Sequence, residues 1–113
     1  MAPTLTLHYF NFPARAGPIR AALHIGGVEF KDVRINFEEF GKKKSSYQFG
    51  TIPVLEVETE GKTTVLGQSN AALSYAGRLT GLYPSDPLDA SRVDNILGAV
   101  EGEYLLLCFQ LFY

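Results

Sequence analysis

Leu5, Leu7 and Tyr9 alternate with Thr4, Thr6 and His8, a period of two that predicts a first strand with one buried face. Asn11-Phe12-Pro13 breaks it. Apolar positions then recur at helical spacing from Ala14 or Arg15 to Ile25, and Gly26-Gly27 marks the end of that helix. Pro18 fits only near its start, where a missing N–H costs least. Val28 to Ile35 reads as the next strand, so strand, helix, strand predicts a parallel pair with a crossover helix. Asn36 to Gly50 mixes Phe37, Phe40, Tyr47 and Phe49 with Lys42-Lys43-Lys44, and reads as a short or irregular helix within a long loop. Ile52 to Glu58 and Thr63 to Leu66 form two strands around a turn at Thr59-Glu60-Gly61-Lys62. Ser69 then reads as the N-cap of a helix that ends near Thr80-Gly81.

The pattern changes beyond Leu82. Pro87 suits a first helical position with Asp86 as its cap, and Asp89 to Tyr113 reads as one long helix. Only Gln110 is polar from Leu105 to Tyr113, so the helix end is apolar nearly all round. That stretch is far too short to cross a membrane. A helix apolar on all sides needs burial on all sides. The expectation is a chain cut short inside a larger helical domain, or one whose tail another subunit covers. The division expected is therefore 1–82 for an α/β domain and 83–113 for a linker and the first helix of an all-α domain.

Composition narrows the function classes. The chain has 113 residues, of which 46% are hydrophobic and 19% charged, enough for one small packed domain. A net charge of -2 gives no electrostatic reason to expect nucleic acid, which would need a basic face. Cys108 is the single cysteine, so neither an intrachain disulfide nor a thiol pair is possible. The start, Met1-Ala2-Pro3-Thr4, lacks the basic and apolar regions of a secretory signal. A cytoplasmic setting is expected. His8 and His24 have no companion at metal-ligand spacing, so no metal is expected and both read as structural.

Four segments in order carry a more specific pattern. They are Leu7-His8-Tyr9-Phe10-Asn11 with Arg15 and Arg20, then Phe49 to Glu56 around Ile52-Pro53, then Leu66-Gly67-Gln68-Ser69, then the apolar helix behind Ser69. Together they resemble the N-terminal domain of the sigma-like cytosolic glutathione transferases, the group of the prostaglandin D synthases and S-crystallins. The resemblance implies a thioredoxin-like βαβ-ββα fold, glutathione as co-substrate, a small electrophile as second substrate, and a homodimer.

On pattern alone Tyr9 is a core aromatic; the resemblance implies that its hydroxyl stabilises the glutathione thiolate. Arg15, otherwise a solvated first-turn arginine, would support the same sulfur. Arg20, further along the helix, reads as structural. By the same resemblance Ile52-Pro53 is a cis-proline turn whose backbone pairs with the cysteinyl unit, and Gln68 and Ser69 hold the γ-glutamyl end. Lys44 would meet the glycine carboxylate. Phe40 falls where the family usually has an indole donor, and a phenyl ring has no N–H to give. Glu101 would reach the γ-glutamyl amine of a neighbouring subunit, or is simply an exposed helix carboxylate.

Three functions follow from the resemblance: conjugation of glutathione to an electrophile, a glutathione-dependent isomerisation, or glutathione binding without turnover as in the S-crystallins. A thiol–disulfide oxidoreductase is excluded, since no cysteine precedes the first helix.

Overall fold

The computed structural model describes residues 2–112, with side chains described for residues 2–102. By internal contacts the chain divides into two compact units, Met1–Leu82 and Tyr83–Tyr113.

The first unit begins with strand β1 (Thr4–Phe10). A 3-10 turn (Ala14–Ala16) leads into helix α1 (Gly17–Ile25), with Pro18 in its first turn as the missing N–H requires. Gly27 then adopts a left-handed φ of 66°, and the Val28 N–H bonds back to the Leu23 carbonyl at 2.9 Å. This closure explains why strand β2 (Lys31–Ile35) starts later than Val28: the helix end has already used that backbone.

Helix α2 (Phe37–Lys43) is better defined than an irregular loop, because Asn36 and Glu39 form a reciprocal capping box. A second 3-10 turn (Lys44–Ser46) follows. Strand β3 (Val54–Thr59) begins after Pro53, which has no N–H for a ladder. Glu60 and Gly61, both at positive φ, turn the chain into β4 (Lys62–Leu66) as a two-residue hairpin. Helix α3 (Ser69–Thr80) ends at Gly81, again left-handed. Ser69 is its first residue rather than its cap. The cap position belongs to Gln68, whose side chain makes no capping hydrogen bond.

The four strands lie in the order β2-β1-β3-β4. β1 and β2 pair in parallel from Thr6 opposite Lys31 to Phe10 opposite Ile35. β3 runs antiparallel to both β1 and β4. The order of elements is the one the sequence pattern predicts, and the fold is the thioredoxin-like one that the resemblance implies.

Alternation along β1 sends Leu5, Leu7 and Tyr9 to one face, where they join Ile19, Leu23, Leu55, Ala72 and Ala76 in the core. α1 packs against α3 on that side. Small residues set how close they come: a Cβ on Gly26 would sit 2.1 Å from Thr80 Cγ2. The opposite face carries Thr6, His8 and Phe10, all half-buried. Phe40 and Tyr47 pack there against Phe10 and His8, so α2 and the turn after it cover this side.

Among the described residues one charged side chain lies inside. Arg20 is 7% exposed. Its Nε donates to Asp32 Oδ1 at 3.1 Å, and its terminal nitrogens donate to the carbonyls of Phe12 at 3.0 Å and Phe10 at 3.1 Å. The structural part expected of Arg20 is thus specific: it ties the end of β1 and the following loop to β2.

In the second unit, helix α4 (Pro87–Phe112) is capped by Asp86, whose carboxylate accepts from the Asp89 N–H at 3.0 Å. Tyr83 donates its hydroxyl to Asp94 at 2.8 Å. Leu88, Ile96 and Val100 are exposed. The expected burial of Cys108 and of the apolar run 105–113 concerns side chains outside the described residues. No helix among the described residues is long and apolar enough to cross a membrane.

Two substitutions test this account. Arg20→Met keeps the aliphatic stem but leaves two carbonyls without their donor and Asp32 without one of its two cations. It is expected to lower the unfolding free energy by about 3 kcal/mol in urea titrations. Gly26→Ala forces its new methyl into Thr80 and should cost about 1–3 kcal/mol in the same measurement.

Candidate functional site

The loop between β1 and α1 aims the first group of the site. Tyr9, the last buried residue of β1, is 4% exposed and packs edge-on against Phe12 at 5.6 Å. The Arg20 guanidinium lies over its ring, 5.8 Å from the centroid. Ala14 holds a φ of 33°, a left-handed conformation that costs a residue with a Cβ about 1–2 kcal/mol. The strained residue directly precedes Arg15, whose backbone N–H points at the Tyr9 hydroxyl oxygen at a long 3.4 Å. Strain at such a position is a common mark of a functional loop. No pattern in the sequence announced Ala14.

A cleft of about 300 Å³ opens beside this loop, lined by Arg15, Thr51, Ile52, Pro53, Gly67, Gln68 and Ser69. The Ile52-Pro53 peptide bond is cis. The β1–β3 ladder ends at His8 opposite Val54, so Ile52 lies two residues beyond it, at the cleft. From the other side come Gln68 and Ser69, at the N-terminus of α3 where backbone N–H groups lack helical acceptors. Gly67 brings the chains together. A Cβ there would stand 2.8 Å from Gln48 Oε1 and 3.0 Å from Phe49 Cδ2.

Five of the residues singled out from sequence therefore share one cleft: Arg15, Ile52, Pro53, Gln68 and Ser69. Tyr9 joins them through the Arg15 backbone. Lys44 lies outside the lining, but its stem runs along Gly50, where a Cβ would be 3.9 Å from Lys44 Cε. Gly50 has a positive φ of 68° and immediately precedes Thr51. Phe40 sits on the other face of the sheet, edge-on to Phe10 at 5.4 Å and stacked on Tyr47 at 6.1 Å. Glu101 is half-buried on α4, in the second unit. Thr51 and Gly67 are lining residues that sequence reasoning missed. Both flank recognised positions, which was the available signal.

Two further groups are settled by their surroundings. His8 pairs through Nε2 with Glu56 at 3.1 Å, and His24 packs edge-on to Phe30. Burial first, then the carboxylates of Glu39 and Glu56, push the Tyr47 phenol above its ordinary value and keep it neutral. Among the described residues, no cluster of three or more His, Cys, Asp or Glu could hold a metal ion.

Sheet order, the crossover helix and a cis-proline facing a helix N-terminus define a thioredoxin-like domain with a peptide-sized cleft. The chain belongs to the glutathione S-transferase family: residues 5–78 match the glutathione S-transferase N-terminal domain. It is 36% identical to glutathione S-transferase 1 of Ascaris suum over 94 residues, covering 83% of this chain and 44% of that protein. It is 34% identical to S-crystallin 4 of Enteroctopus dofleini, covering 83% of this chain and 42% of the relative. The solved structure of prostaglandin synthase D of Nilaparvata lugens superimposes with a TM-score of 0.85 at 32% identity, covering 98% of this chain and 54% of the other. The chain thus spans about half the length of the relatives it matches.

The capping geometry makes a prediction about Ser69. Its hydroxyl is not the cap of α3, so Ser69→Ala should change the unfolding free energy by less than about 0.5 kcal/mol. A loss near 1 kcal/mol in urea titration would instead reveal a capping role.

Proposed function

We propose that this chain forms the glutathione half-site of a glutathione transferase, in which Tyr9 stabilises the bound thiol as thiolate for attack on a small electrophile. The observation that carries the reading is the single cleft shared by Arg15, the cis Ile52-Pro53 turn and the Gln68-Ser69 helix start. Each side of it matches one part of a γ-glutamyl tripeptide. A carboxylate at the start of α3 meets unpaired N–H groups and the positive end of the helix dipole, with the Ser69 hydroxyl and Gln68 amide as further donors. The Ile52 backbone, beyond the end of the ladder, pairs with the cysteinyl unit as an added strand would. Lys44 takes the glycine carboxylate.

The chemistry at the sulfur is electrostatic. An ordinary thiol titrates near 8.5, so little of it is thiolate at neutral pH. Lowering that value by ~2 units takes ~2.7 kcal/mol of preference for the anion. A phenol hydroxyl donating to sulfur supplies part of it. The Arg15 N–H that donates to the phenol oxygen polarises the O–H and strengthens it as a donor. The Arg15 side chain at the cleft adds positive charge.

Phe40 has no N–H, and its ring is engaged by Phe10 and Tyr47, so one ligand hydrogen bond common in the family is lost, at ~1 kcal/mol. Glu101 completes the site from a partner subunit in a cytoplasmic homodimer. A second reading, glutathione binding without turnover, has support from the likeness to S-crystallin 4. An isomerase variant uses the same thiolate.

Titration of the protein with reduced glutathione, following thiolate absorbance against pH, tests the proposal. Thiolate should appear about two pH units below the ordinary thiol range, and Tyr9→Phe should return it to near 8.5. Saturable binding with an unshifted thiol would replace the transferase with the binding protein. No binding by the intact chain would remove the half-site altogether.

A further inference from the structure

Between Phe40 and Ile52 the chain is exposed at every residue except Tyr47 and Gly50, which are half-buried. This stretch carries Lys44 and delivers Thr51 to the cleft, so something must hold it. Tyr47 does so on both its ring and its backbone. The ring meets His8 edge-on at 6.2 Å and stacks on Phe40 at 6.1 Å, with only 20° between the planes. Neither neighbour is loose: His8 is paired with Glu56 on the adjacent strand, and Phe40 rests on Phe10. The Tyr47 N–H donates to the Lys44 carbonyl at 3.3 Å, and the Tyr47 carbonyl accepts from the Gly50 N–H at 3.1 Å. Two successive turns therefore share this one residue. The first holds Lys44, and the second holds Gly50, along whose bare α-carbon the Lys44 stem lies.

We infer that Tyr47 is a positioning residue for recognition of the glycyl end of glutathione: its ring, seated between His8 and Phe40, fixes Lys44 against the Gly50 turn. The inference rests on the glutathione reading of the cleft. The energetics follow from local stability. An exposed segment opens more readily once one of its few half-buried anchors is removed. Apparent affinity then falls by the fraction of molecules still holding Lys44 in place, about tenfold if that fraction drops to a tenth. The change falls mainly on a ligand that uses Lys44, because Ile52 on the cysteinyl side is held by the cis-proline turn and the start of β3. The phenol hydroxyl has no part in this, so a phenylalanine ring serves equally well.

The test is calorimetric titration of the full chain with glutathione and, separately, with γ-glutamylcysteine, which lacks the glycyl carboxylate. Tyr47→Ala should weaken glutathione about tenfold while leaving γ-glutamylcysteine within about twofold, and Tyr47→Phe should restore glutathione affinity. Combining Tyr47→Ala with Lys44→Ala should weaken glutathione no further than Lys44→Ala alone, because both act through one contact. Should the alanine variant fail to fold, Tyr47→Leu keeps the bulk without the flat ring and is compared in the same way. Equal losses for the two peptides, or no loss for glutathione, would overturn the inference while leaving the cleft assignment standing. A wild-type chain that binds neither peptide would overturn both.

Discussion

The buried guanidinium of Arg20 joins α1 and the loop after β1 to the β1–β2 edge of the sheet. It reaches from α1 to the carbonyls of Phe10 and Phe12 and to Asp32 on β2. A buried cation is costly unless every donor finds a partner, and here two carbonyls and a carboxylate answer it. Asp32 in turn is shared with Arg34, which also holds the Asn11 side chain at 2.8 Å. The loop between β1 and α1 is therefore fixed at its start. That constraint allows Ala14 to persist at positive φ and aims the Arg15 N–H at Tyr9. Strain there without a rigid frame would simply relax.

The two faces of the sheet do different work. One face buries aliphatic side chains under α1 and α3, whose close approach rests on Gly26, Ala72 and Ala76. That packing sets where the α3 N-terminus stands relative to the proline turn. The other face is aromatic. His8, Tyr47, Phe40, Phe10 and Phe12 follow one another at centroid distances of 6.2, 6.1, 5.4 and 5.4 Å. Ring contacts of this kind add modestly to area burial, but they are directional. They bind an otherwise exposed segment to a rigid surface, so the site is framed by a packed core on one side and an aromatic row on the other.

Most elements were legible because each carries its own local signal. Period-two alternation marked β1, Gly26-Gly27 marked the end of α1, and Glu60-Gly61 marked the hairpin. The shortfalls have physical reasons. Val28 looked like strand because it is apolar, but its N–H closes the helix before it. Ser69 looked like a cap by residue type, yet the geometry assigns that place to Gln68. The Asn36-x-x-Glu39 spacing of a capping box is a local signal for α2, masked by the mixed aromatic and lysine composition around it.

Sequence by itself determined what is local: the order of elements, the buried face of β1, the helix punctuation, and the residue types brought to each edge of the cleft. It also marked Arg20 as structural, without its partners. Tertiary structure alone decided which groups meet. The pairing of Arg20 with Asp32, the approach of Gly67 to Gln48 and Phe49, and the seat of Tyr47 against His8 are contacts between separate elements. No local pattern encodes such contacts. Each depends on how twisted strands and helices of fixed length stack once the apolar face is buried, and only then do distance and direction acquire values.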